Sequence, residues 1–120
     1  MKYNKREPIY QQIAREIKVE ILQGKLEPGD RLPSRREYAQ THKVNPNTVQ
    51  RAYQLLEDAD IIVTEPNVPS RVTEEVGVLE ALKAERIHKL IREFYEATQA
   101  IGLSLEQVVE ELERLEDESC

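Results

Sequence analysis

Two helix-start signals stand eleven residues apart in this chain, and they constrain what the segment between them can be. The first is "SRRE", Ser34 to Glu37. Its serine hydroxyl can accept from the backbone N–H three residues on, while the glutamate reaches back to the serine's own N–H. The second is Asn45-Pro46. Asparagine is a strong N-cap, and proline suits the first helical position, where a backbone N–H has no partner to lose. A helix starting after Ser34 must end by about His42, cross "HKV" and start again at Asn45. The spacing predicts two short helices joined by a tight turn, the second running to about Ala59.

The faces of that second helix differ in chemistry. At about 100° per residue, Val49, Ala52, Tyr53 and Leu56 share one side, and Asn47, Gln50, Arg51 and Gln54 share the other. The nineteen residues from Tyr38 to Leu56 contain no Asp or Glu, where the chain's average of 23 in 120 would place about four. Arg31, Arg35, Arg36, Lys43 and Arg51 lie in or beside this window. A surface that meets phosphates must exclude carboxylates, because each adds repulsion and forfeits counterion release. Asn, Gln and Arg carry the paired donors and acceptors that read base edges in the major groove. Any surface helix can be rich in Asn and Gln, but the cap, the faces and the charge exclusion agree on a DNA-reading helix.

The flanking sequence predicts the rest of a domain. Pro8 and "IYQQIAREIKVEILQG" read as a first helix, with Ile9, Ile13, Ile17 and Ile21 at four-residue spacing and Gly24 as its left-handed cap. Pro28-Gly29 marks a turn, and Asp30 to Leu32 reads as a short strand. Ile61 to Thr64 and Arg71 to Thr73 read as an antiparallel pair across the loop Glu65 to Ser70. A hairpin placed directly after a reading helix is a wing. Residues 1–73 are therefore expected to form a winged helix-turn-helix, mainly α with a small β-hairpin.

From Thr73 or Glu74 a long helix is expected to reach about Ala100, about 40 Å at about 1.5 Å per residue. Val76, Leu79, Ile87, Leu90, Ile91, Phe94 and Ile101 form an apolar stripe that Lys83 interrupts. Gly102 ends this helix, and "SLEQ" at Ser104 to Gln107 is a second capping box, with Leu103 and Val108 as a hydrophobic staple. Leu105, Val108, Val109, Leu112 and Leu115 then fall on one face of a last helix. Two amphipathic helices alone cannot bury both stripes. Residues 74–120 are read as a two-helix dimerisation tail, with Leu90, Phe94, Val108, Leu112 and Leu115 at a homodimer interface.

Charge divides at the same place. Twelve Lys/Arg against ten Asp/Glu precede Glu74, and five against thirteen follow, so the net charge of −6 belongs to the tail. The bland reading of the tail is a solvated acidic face. Another class of protein, a helical interaction adaptor whose acidic tail binds a partner, would explain that tail and leave the acid-free helix unexplained. No apolar run approaches a membrane span, the start shows no signal peptide, and the single cysteine is Cys120, which together suggest the cytoplasm. His42 and His88 lie in no metal-ligand spacing, and there is neither a phosphate-binding glycine loop nor a nucleophile setting. Neither an enzyme nor a cofactor or metal site is expected.

The run "G-x-L-x-P-G-D-R-L-P-S-x-R-E" (Gly24 to Glu37) and "N-T-V-x-R-A" (Asn47 to Ala52) resemble the winged helix-turn-helix of GntR-type bacterial transcription regulators. The likeness covers about Pro8 to Thr73, and "VNPNTV" with the short two-helix tail is similar to the YtrA subfamily, whose tail is too small for the large effector domain of other members. The resemblance implies a dimeric regulator, usually a repressor, on a double-stranded operator with inverted half-sites. The small-molecule effector stays unknown, with the space between dimer halves as the place left for one.

The positions that match the family's are Arg36, Asn45, Asn47, Thr48 and Arg51. Asp60 stands where the family often has glycine, and the wing "TEPNVPSRV" lacks the family's glycine-rich basic tip. Asn47, Thr48, Gln50 and Arg51 form the expected direct-readout set, with completion of the helix cap as the alternative for Thr48. Arg35 and Arg36 are expected at phosphate or guanine, with a pair to Glu37 as the alternative for one of them. Ser34 caps its helix and can also hold a phosphate there. Arg71 and Asn67 are the wing candidates, and Tyr10, Tyr38 and Tyr53 are expected in the core.

Overall fold

The structure, a computed structural model, describes residues 3–119. Cys120 lies outside the described residues. Five helices and one hairpin follow in order: α1 (Ile9–Leu22), α2 (Arg35–His42), α3 (Pro46–Asp58), β1 (Ile62–Val63), β2 (Arg71–Val72), α4 (Val76–Ala100) and α5 (Leu105–Ser119). They group into two compact units that divide between Lys83 and Ala84, within α4.

The first unit is built around α3. Both α1 and α2 pack on it, and Val49, Ala52, Tyr53 and Leu56 are all 0% exposed. From α1 come Ile13, Ile17 and Ile21, each buried as the four-residue spacing predicts. Ile9, the first of that series, is 41% exposed, because a stripe of strict period four drifts off the core side of a 3.6-residue helix. β1 and β2 pair antiparallel, Ile62 opposite Val72 and Val63 opposite Arg71. Ile61, Ile62 and Val72 close the core from that side, and Val78, Leu79 and Leu82 add the first turns of α4.

The helix boundaries follow the local chemistry. Ser34 and Glu37 form the complete capping box, Asn45 accepts from the Asn47 N–H at 2.8 Å, and Pro46 occupies the first turn of α3. Ser104 and Gln107 make the second reciprocal pair, at 3.2 and 2.9 Å. Two expectations shift. Asp30 to Leu32 is no named strand; it runs beside β2 through one bridge, Arg31 to Arg71, and backbone bonds such as Leu32 N–H to the Ser70 carbonyl at 2.8 Å. α4 begins at Val76 rather than at Thr73 or Glu74, because the Thr73 hydroxyl is buried and accepts from the Glu75 N–H at 3.1 Å.

α3 ends in a left-handed turn. Ile61 N–H donates to the Leu56 carbonyl at 2.9 Å and Asp60 N–H to the Glu57 carbonyl at 2.9 Å, the two bonds of a Schellman motif. Asp60 supplies the positive φ of 61° that this closure needs. It is thus at the one position of the turn where a Cβ is a handicap.

In the second unit the described residues from Ala84 onward bury little. Leu90 (46% exposed), Phe94 (44%) and Leu112 (44%) are open, as are Ile91, Val109 and Leu115. The core cluster ends at Leu82. Lys83, which interrupts the apolar stripe, is thus also where the units divide. Gly102, at φ 74°, turns the chain into α5. No helix among the described residues is long and apolar enough to cross a membrane.

Relief of the left-handed strain predicts that Asp60→Gly stabilises the chain by about 0.5–1 kcal/mol, seen as a higher urea midpoint with unchanged slope.

Candidate nucleic-acid interface

The outer face of α3 presents Asn47, Gln50, Arg51 and Gln54, all exposed over the fully buried opposite face. The helix is seated from within. Tyr53 Oη donates to the Pro33 carbonyl at 2.7 Å, tying α3 to the residue just before the α2 cap. The rings of Tyr53 and Tyr38 meet edge to face at 6.3 Å, and His42 stacks on Tyr38 at 4.1 Å. Burial raises the Tyr53 phenol from its ordinary 10.0 to about 12, with Arg35 opposing and Glu37 and Glu20 adding. Burial likewise raises Tyr38. Both remain neutral donors at ordinary pH.

The expected site residues lie in three places: on α3 with its cap, at the start of α2, and on β2. Asn47, Thr48, Gln50 and Arg51 lie together on the first turns of α3, with Asn45 at its cap. Asn45 is the cap acceptor, and the Thr48 side chain makes no hydrogen bond among the described residues, so the cap is complete without it. Ser34 is the acceptor in the box at the start of α2. Arg36 is exposed and has no hydrogen bond or ion pair among the described residues. Arg71 stands apart on β2, where it pairs with Glu65 at 3.1 Å. Asn67, at φ 62°, forms the turn of the hairpin behind Pro66, with Val68 N–H donating to the Glu65 carbonyl at 3.2 Å.

Three arrangements lay outside what the sequence pattern predicts. Tyr10 is half-buried rather than in the core, and its ring carries the Arg51 guanidinium at 4.0 Å. Such stacking holds the plane of an arginine while leaving its edge donors available. Neither Arg35 nor Arg36 pairs with Glu37, whose carboxylate accepts from the Ser34 N–H instead. Arg35 turns to α3: Nε donates to Gln50 Oε1, Nη2 meets Glu57 Oε1 at 2.6 Å, and its guanidinium lies 4.9 Å from the Tyr53 ring centre. A signal for the last was present, since Gln50 and Glu57 are seven residues apart and share a helix face. No such signal marked Tyr10, which touches Arg51 across forty-one positions of sequence.

A family model described as bacterial regulatory proteins, gntR family, matches residues 9–72. The chain belongs to the GntR family. An HTH-type transcriptional regulator, YhcF, of Bacillus subtilis (strain 168) is 36% identical over 103 residues, covering 86% of this chain and 85% of that protein. The HTH-type transcriptional repressor YtrA of the same organism is 51% identical over 57 residues, covering 48% of this chain and 44% of that protein. A solved structure of a GntR family transcriptional regulator from Listeria monocytogenes superposes with a TM-score of 0.88 at 34% identity, covering 93% of this chain and 98% of that one. As a GntR regulator the chain is a DNA-binding transcription regulator, and its relatives are regulators rather than enzymes.

Tyr53→Phe removes one buried donor and leaves the Pro33 carbonyl without it, an expected loss of about 1 kcal/mol at neutral pH. The neutral phenol is the favoured form in the fold, so its contribution is complete below pH 10.0 and fades as pH rises through about 12. Denaturant midpoints of the native chain should therefore fall in that alkaline window, and fall less steeply in Tyr53→Phe.

Proposed function

We propose that this GntR regulator is a cytoplasmic repressor that binds an inverted-repeat operator as a homodimer, with α3 in the major groove. The observation that carries the reading is the outer face of α3. It combines exposed Asn47, Gln50 and Arg51 with the acid-free stretch of sequence from Tyr38 to Leu56 and a fully buried opposite face. Amide and guanidinium groups on a rigid helix are the donors and acceptors that base edges require. Arg36, Ser34, Asn45 and Thr48 border this face and supply phosphate or sugar contacts that fix the docking. Arg71 serves the wing, where its pair with Glu65 cancels much of its charge and limits its share in binding.

The segment 74–120 supplies the dimer contact. Leu90, Phe94, Leu112 and Leu115 are exposed in a single chain, and Val108 is half-buried. Covering such a stripe contributes roughly 1.5–3 kcal/mol for each large side chain fully buried. A two-fold pair places two copies of α3 in successive major grooves, about 34–36 Å apart.

Selection of bound duplexes from random DNA tests the whole reading. The expected result is two inverted half-sites about one helical turn apart, with an affinity that falls steeply with salt. A stable homodimer that prefers no sequence at moderate salt would overturn it in favour of an interaction adaptor. Arg51→Ala should weaken operator binding by about 1–3 kcal/mol and blur the preference at one base pair per half-site. An equal loss on every sequence would make Arg51 a phosphate contact. Leu112→Glu should yield monomers on size-exclusion chromatography; an intact dimer would remove α5 from the interface.

A further inference from the structure

The unexplained feature of the reading face is Arg35. A free arginine beside an acid-free helix would be expected at a phosphate, yet this one is clamped on three sides within the protein. Its Nη2 meets Glu57 Oε1 at 2.6 Å, its guanidinium faces the Tyr53 ring at 4.9 Å, and its Nε donates to Gln50 Oε1. Glu57 is itself fixed, since the same Oε1 accepts from the Thr64 hydroxyl at 2.8 Å, and Thr64 bonds Ser70 at 2.6 Å. The chain Gln50–Arg35–Glu57–Thr64–Ser70 thus ties the reading helix to α2 and to both sides of the wing.

The consequence falls on Gln50. A glutamine amide can turn its oxygen and nitrogen either way, and a free one can match an acceptor or a donor on a base edge. Arginine has donors and no acceptor, so only the amide oxygen of Gln50 can face Arg35. The other edge, Nε2 with two N–H donors, has no partner among the described residues and lies on the exposed face of α3.

We propose that Arg35 is a positioning residue: it sets the amide of Gln50 so that Nε2 points to the bases. The site then favours an edge of acceptors, guanine or thymine, over one with a donor at that place, adenine N6 or cytosine N4. This rests on the DNA-reading role of α3 proposed above. It makes base choice depend on a residue that touches no base, with Glu57 as the anchor.

The test compares duplex selection and salt dependence for the full-length wild type, Arg35→Met, Gln50→Ala and the double variant. Methionine keeps an apolar stem against the Tyr53 ring and removes every donor. For the wild type we expect a preference of about tenfold for guanine or thymine at one base pair per half-site. In Arg35→Met that preference should drop to about twofold or less, at the same pair that Gln50→Ala affects, with no further change in the double variant. The slope of log affinity against log salt should stay as in the wild type. Glu57→Gln loosens the anchor while both Arg35 and Gln50 stay in the chain, and should shift the same pair by less. It carries the test if Arg35→Met does not fold.

Three results would overturn the proposal. One is a uniform loss on all sequences with a salt slope lower by about 0.9, which marks a phosphate contact. Another is a change at a base pair that Gln50→Ala leaves alone. The third is a wild-type preference for a donor edge at the Gln50 pair. A wild type that selects no sequence removes the DNA-reading role itself, and this proposal with it.

Discussion

The seating of α3 is the contact on which the rest of the helix-turn-helix unit depends. A helix presents side chains to a groove only if its rotation about its own axis is held, and rotation is held by what the opposite face buries. Here Val49, Ala52, Tyr53 and Leu56 leave no surface to water. Losing Tyr53 or Leu56 to alanine would cost on the order of 2–5 kcal/mol, a large part of a typical domain's 5–15 kcal/mol. The bond from Tyr53 Oη to the Pro33 carbonyl adds direction to that burial. Pro33 immediately precedes the cap of α2, so one phenol couples the start of α2 to the middle of α3. Dispersion and burial provide the energy, and the hydrogen bond selects one arrangement among several that would bury similar area.

Around the outer face of α3, four carboxylates are each answered by a donor among the described residues. Glu37 accepts from the Ser34 backbone. Glu57 faces Arg35, Asp58 accepts from Gln54 at 2.9 Å, and Glu65 faces Arg71. Exposed ion pairs add only about 0–1 kcal/mol to stability, so their weight lies elsewhere. The two arginine pairs, at Glu57 and Glu65, offset a negative charge in the field that a polyanion would meet, and all four contacts fix a side chain that would otherwise wander. The acid-free window and these pairs are two solutions to one electrostatic problem: exclude the carboxylate, or neutralise it where the fold needs one.

How much was legible follows from the range of each interaction. Caps are local, so Ser34 with Glu37, Asn45 with Pro46, and Ser104 with Gln107 announced three helix starts within four residues each. The faces of α3 were legible because helical periodicity alone sets them. Ile9 shows the limit of that rule, since four-residue spacing is close to 3.6 but not equal to it, and the end of the series leaves the core. Asp30 to Leu32 was legible as extended chain but not as a single bridge, because its partner Arg71 is forty residues away. The Tyr10 platform and the Arg35 clamp are contacts across the tertiary fold. Composition placed arginines near the face; only packing determined which are held inside and which, like Arg36, stay open.

The two units differ in what makes them stable. The first has its own core, from Ile13 to Leu82 in sequence, closed by α1, α3 and the hairpin. The second consists of helix with an open apolar stripe. Isolated helices near the 15 residues of α5 are marginal in water, and the capping box at Ser104 contributes only about 1 kcal/mol toward it. Under the proposed dimer, the partner's stripe supplies the missing burial, so order in the tail and association become one linked equilibrium. The head needs no such linkage to fold. In the proposed function, the dimeric arrangement that an inverted repeat demands rests on the tail's unsatisfied apolar surface, and the choice of bases on the face that the head's satisfied core holds in place.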